Sequence, residues 1–217
     1  MVNSREIGDR LSGVSVFVSA SIPDPMRWDG PFDALEITDA VVAVARAVLT
    51  NGGRLVTAAH PTIAPLLLYV AAESLRSADP QVVIYQSSVF DGFLPEATLQ
   101  FRANGIGTVV ETAAIQGEGP SAPEAPLSLE LMRRTMFERE VPEAAVFVGG
   151  MEGIPAEYQM FREIRPLSPC YALGRPGGEA RALVNSSPSN VRPMLRNGDV
   201  YPSVARAIVE DIVNRRG

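Results

Sequence analysis

Two kinds of apolar run alternate along this chain. The first kind is short, continuous and rich in β-branched residues: "GVSVFVSASI" (13–22), "RLVTAA" (54–59), "QVVIYQSSVF" (81–90), "GTVVETAA" (107–114), "EAAVFVGG" (143–150) and "PCYALG" (169–174). Each predicts a buried strand. The second kind is longer and has helical spacing. In "LEITDAVVAVARAVLTNGG" (35–53), Val41, Val44, Ala45 and Val48 share one face, and Gly52 and Gly53 end the run. "PTIAPLLLYVAAESLRS" (61–77) predicts a mostly apolar helix with Pro61 at its start, where a missing N–H costs little. Residues 91–105 predict a loop and a short helix. Further helices are expected over 128–140, with Ser128 as N-cap, over 155–164, and over 203–216, with Ser203 as cap. The stretch "QGEGPSAPEAP" (116–126) reads as a flexible loop. Continuous apolar strands that alternate with helices are the signature of a parallel sheet covered on both faces. The expected fold class is α/β, a single doubly wound Rossmann-like domain over residues 1–217.

Composition narrows the chemistry. The chain has 217 residues, 46% of them apolar, which is enough for a full core without staples. Its net charge is −6 and it has no basic block, so no nucleic-acid partner is expected. All 19 basic residues are arginine. A Walker A loop and a Schiff-base mechanism each need a lysine and are therefore excluded. One cysteine, Cys170, cannot form a disulfide within the chain, which fits a reducing cytoplasm. With His60 as the one histidine, a Cys/His zinc site lacks ligands; an all-oxygen Mg²⁺ site remains open to the composition, but no metal-ligating residue is expected among the site residues. Cys170 sits in an apolar strand and reads as core. The opening residues carry no apolar signal-peptide stretch. Residues 55–72 approach membrane-spanning length but contain His60, Pro61 and Pro65, so a strand followed by a helix explains them and no membrane partner is expected.

In an open parallel sheet, ligands bind beyond the carboxyl ends of the strands. The residues to examine are therefore Ser19, Ala20 and Ser21; His60, Pro61 and Thr62; Gln86; Gly149, Gly150, Met151, Glu152 and Gly153; and the glycine-rich "GRPGG" at 174–178. Small residues let backbone N–H groups approach an anion, and helix N-termini add positive dipoles. Glycine at such turns also serves simply to permit positive φ. Arg133 and Arg134 share a helix with Glu130 and Glu138, so an i,i+4 pair between Glu130 and Arg134 accounts for one arginine without a ligand. Helical spacing lets at most one of the two face the pocket.

The segment "LMRRTMFEREVPEAAVFVGGMEGIPAE" (131–157) places an arginine pair on a helix, then an apolar strand, a glycine turn and a glutamate on the next helix. It resembles the signature of the SLOG superfamily, the LOG and DprA-like Rossmannoid proteins related to the lysine decarboxylase-like phosphoribohydrolases. That signature is an Arg-Lys pair, an apolar strand and P-G-G-x-G-T-x-x-E. Arg133 and Arg134 match the pair, Gly149 and Gly150 the double glycine, Gly153 the later glycine and Glu157 the closing glutamate. Val148 stands for the proline, Arg134 for the lysine and Ile154 for the threonine, and one extra residue separates Gly150 from Gly153. "VFVSAS" and "GGRLVTAAHPTIAPLL" resemble the earlier strands and turns, so the likeness covers most of 13–175. The chain looks closer to the divergent branch found beside or fused to TIR and Sir2-type NAD-cleaving domains.

The resemblance implies a module that binds or senses a nucleotide or an NAD-derived ribose phosphate in a TIR- or NAD-linked bacterial signalling or defence system. An ADP-ribose-like ligand, no tightly held cofactor, a homo-oligomer and a TIR or Sir2-type partner protein are expected with it. In this reading Arg133 holds phosphate and Glu157 or Glu152 accepts from ribose hydroxyls. The alternative it implies is an N-glycosidase of nucleoside monophosphates, with Arg133 and Glu157 as catalytic residues. A plain dinucleotide oxidoreductase needs G-x-G-x-x-G after the first strand, and "SVFVSASIPDP" contains no glycine.

Overall fold

Six strands form one sheet in which every neighbouring pair is parallel. The computed structural model describes residues 9–73 and 81–217. The strands are β1 (Ser15–Ser21), β2 (Arg54–Ala58), β3 (Val82–Ser87), β4 (Thr108–Thr112), β5 (Ala144–Gly149) and β6 (Cys170–Leu173). The helices are α1 (Ala34–Thr50), α2 (Ala64–Glu73), α3 (Glu96–Ala103), α4 (Pro126–Glu140), α5 (Gly153–Ile164), α6 (Arg192–Asn197) and α7 (Tyr201–Asn214). The last four residues of the helix expected over 61–77, and most of the opening segment read for a signal peptide, lie outside the described residues.

The strand order is β4-β3-β2-β1-β5-β6. The chain moves outward from β1 to β4 and then returns to the other side of β1. Its direction of winding thus reverses between β1 and β5, whose carboxyl ends pair as Ser21 with Gly149. Such a reversal leaves a crevice between the two strand ends.

Alternation along β1 divides the core in two. Val16, Val18 and Ala20 face a layer that includes α1, α2 and α7; Phe17 faces α4 and α5. On this second side Phe17, Phe137 and Phe161 form a cluster. The Phe17 and Phe137 rings meet edge-on at 4.8 Å, and those of Phe137 and Phe161 at 5.5 Å. The described helices include none long and apolar enough to cross a membrane.

Two expected caps are corrected. Ser128 lies inside α4, whose N-terminal position is Ala125; its hydroxyl is buried and accepts the N–H of Ile115 at 2.8 Å. The Glu118 carboxylate, from the loop before α4, takes the N–H groups of Leu127 and Ser128 at 2.8 Å each. Ser203 likewise lies inside α7, which begins at Tyr201. By contrast, Asp33 caps α1 through the N–H groups of Leu35 and Glu36. Four elements had no counterpart in the sequence pattern: the 3₁₀ helices Ser88–Phe90, where the strand expected over 81–90 already ends at Ser87, Ala122–Glu124 and Glu179–Ser186, and α6.

Candidate functional site

The aromatic cluster positions a polar cluster one step nearer the carboxyl edge. Ser19 follows Phe17 by two residues on the same face of β1. Arg133 precedes Phe137 by one helical turn on α4, and Glu157 precedes Phe161 by one turn on α5. The contacts that pack the three rings therefore bring the three polar side chains together. The Arg133 Nε donates to Glu157 Oε1 at 3.0 Å, and the Ser19 hydroxyl donates to Glu157 Oε2 at 2.5 Å. Glu157 is only 8% exposed, so both carboxylate oxygens need these partners. The Arg133 Nη groups make no hydrogen bond among the described residues.

At the crevice, Gly149 and Gly150 have φ of 63° and 74°. A Cβ on Gly149 would lie 2.6 Å from the Ser21 carbonyl and from Ile37; one on Gly150 would lie 2.3 Å from Ile154. A Cβ on Gly178, in the "GRPGG" loop, would lie 2.5 Å from the Gly149 backbone. These three glycines allow strand end, helix and loop to close on one another rather than leaving room for a ligand. Gly153 differs. A Cβ there would meet only Arg133 Nη2, at 3.6 Å. The backbone N–H groups of Met151, Glu152 and Gly153 donate to nothing among the described residues. Gly153, the first residue of α5, thus stands beside Arg133 Nη2, next to N–H groups without an acceptor among the described residues.

The other candidates fall into three groups. His60 is partly buried near Glu157: burial lowers its imidazole pKa, and the Glu157 charge partly opposes this. Its Nδ1 lies 2.9 Å from the exposed Thr62 hydroxyl. The segment 60–62 brings the imidazole rather than a backbone cradle, because the His60 N–H donates to Ala58 and Pro61 has none. Ser21 flanks the glycine turn, its carbonyl accepting the Gly150 N–H at 2.7 Å. Ala20 belongs to the core on the α1 side, away from Glu157. Gln86 is not brought to the cluster; its amide donates to the Phe90 carbonyl at 2.6 Å. Glu152 is exposed and paired with Arg27, and Arg134 pairs with Glu130 and Glu163 on the outer surface. Sequence reasoning missed Arg27, since a contact across 125 positions leaves no periodic trace.

The sheet, its switch point and the polar cluster beside it define a Rossmann-like α/β protein. The chain belongs to the SLOG cluster3 family, which matches residues 27–207. Among solved structures it is similar to the X-ray structure of TM1055, a structural genomics target, with a TM-score of 0.52 and 13% identity over 79% of this chain and 81% of that one. At that identity the likeness is one of fold. No curated protein matches the chain.

Proposed function

We propose that this protein binds a nucleotide or NAD-derived ribose phosphate at the β1–β5 switch point. One observation carries the reading: Gly153 stands beside the unspent Nη groups of Arg133, and the N–H groups of Met151, Glu152 and Gly153 have no acceptor among the described residues. Helix N-terminal N–H groups and a guanidinium are matched donors for a phosphate. Glu157, held by Arg133 and Ser19, is the nearest acceptor for ribose hydroxyls. Family membership supports a nucleotide-derived ligand. In the same reading the bound state is communicated through a homo-oligomer or to a TIR or Sir2-type partner.

Mass spectrometry of small molecules released on denaturation, with thermal unfolding against AMP, ADP-ribose and NAD, tests this. A bound nucleotide at a hundredfold excess over Kd adds about 2.7 kcal/mol to the unfolding free energy. Arg133→Ala is expected to abolish the shift. A flat panel, or a shift unchanged in Arg133→Ala, rejects the proposal.

A second reading is favoured by His60, whose imidazole lies near Glu157 and is held below its ordinary pKa by burial. A carboxylate near C1′ can stabilise an oxocarbenium-like transition state, and the imidazole can handle a proton. Release of free base from nucleoside monophosphates, lost in Glu157→Gln while binding persists, would establish this hydrolase. Absence of turnover with every monophosphate would dismiss it.

A further inference from the structure

A second concavity lies beyond the carboxyl end of β6, between the 3₁₀ helix Glu179–Ser186 and α6. Its volume is about 400 Å³, within the range of small-molecule sites. Arg175, Arg181, Arg196, Asn185 and Asn197 line it, together with Gly174 and Val184, and no acidic residue does. That concentration is unusual in a chain of net charge −6.

The fold accounts for the convergence. Arg175 follows β6 directly. Arg181 and Val184 are three apart in a 3₁₀ helix, where such positions eclipse. Val184 is buried behind the strand, and a Cβ on Gly174 would lie 2.7 Å from it, so the floor is closed. Arg196 comes from the last turn of α6, with Leu195 anchoring that helix in the core.

The three guanidiniums are unequally satisfied. Arg175 donates its Nε to Glu36 at 3.0 Å. Arg196 donates Nη2 to Asn185 at 2.5 Å. The Arg181 guanidinium makes no hydrogen bond or ion pair among the described residues. The charge of Arg175 is offset by Glu36, whereas Arg181 and Arg196 have no ion pair among the described residues, and a multiply charged anion can satisfy both.

We infer that this cavity is an anion site that takes the diphosphate group of a small phosphorylated molecule. Arg175, Arg181 and Arg196 hold the charged oxygens, and Asn185 and Asn197 contact the neutral remainder. The site shares no residue with the Arg133–Glu157 cluster and does not depend on the function proposed for it.

Isothermal titration with sodium pyrophosphate at constant ionic strength tests the inference. The wild-type protein is expected to show saturable binding. Arg181→Gln is expected to weaken one binding event by about tenfold, the loss of one charge-assisted contact. The substitution is at an exposed side chain without partners, so folding is retained. Arg102→Gln, an exposed arginine on α3, is expected to bind as the wild type does. Absence of saturable binding at millimolar pyrophosphate, or affinities of wild type and Arg181→Gln within twofold, would overturn the inference.

Discussion

Glu157 is where the candidate site concentrates its electrostatics. Its two oxygens receive a hydroxyl and a guanidinium, and its charge reaches His60. Burial lowers the imidazole pKa in the folded protein from its ordinary 6.5. The unfolded chain therefore takes up this proton first as pH falls. Stability contributed by neutral His60 is fully present above the unfolded pKa and is lost as pH falls toward the lower folded value. Between about pH 7.5 and 5.5, a window set by that ordinary pKa, His60→Asn is expected to lose less stability than the wild type in urea titrations. Because the chain has one histidine, proton NMR reads its titration directly, and Glu157→Gln should move the midpoint further down. A midpoint that rises in Glu157→Gln contradicts this account. Arg133 and Glu157 were singled out at this scale because both occupy motif positions. Their pairing with each other and with Ser19 was not legible, because hydrogen-bond partners 24 and 138 positions away follow from packing alone.

Between elements, the glycines have unequal roles. Gly149→Ala would combine a left-handed φ with two contacts at 2.6 Å, one of them to the Ser21 carbonyl. It is expected to cost about 3 kcal/mol, from strain and overpacking together. Gly153→Ala places its methyl in open space at the first residue of α5, so stability is expected within about 0.5 kcal/mol of wild type. Its effect should instead appear as weaker nucleotide affinity, because the methyl stands beside Arg133. Denaturation curves for the two variants, with binding measured for Gly153→Ala, check both halves. Most elements were readable from periodicity. The 3₁₀ helix Glu179–Ser186 and α6 were not, because eight and six residues are too few to display a period amid Pro, Ser and Asn. The start of α4 was misread for a related reason. Its capping carboxylate, Glu118, comes from a loop outside the usual capping pattern.

Across the whole molecule, α7 closes the layer that α1 and α2 begin. Ile208 is 1% exposed within the core that includes α1 and the β-sheet face. Its replacement by alanine leaves a cavity and is expected to cost about 2–5 kcal/mol, in the range of large-to-small core changes. A loss of unfolding free energy below about 1 kcal/mol in urea titrations would mean that α7 is not part of the cooperative core. Asp211 adds a polar tie on the same helix, accepting from Tyr171 on β6 at 2.7 Å and from Asn190 at 2.6 Å.

By itself, the amino-acid pattern determined the six strands, most of the helices and that the sheet is parallel. Continuous apolar runs can be satisfied only by burial on both faces, and that requirement is local and additive. The motif spacing also pointed to α4, the β5–α5 turn and Glu157 as parts of one site. Tertiary structure alone decided the strand order, and with it that the winding reverses between β1 and β5. It also decided that Gly149 and Gly150 are spent on internal packing while Gly153 stays open, and that Gln86 and Glu152 turn away. These outcomes depend on which atoms meet across large sequence separations. The meeting of Phe17, Phe137 and Phe161 sets the Ser19–Arg133–Glu157 geometry, and no single segment contains that information.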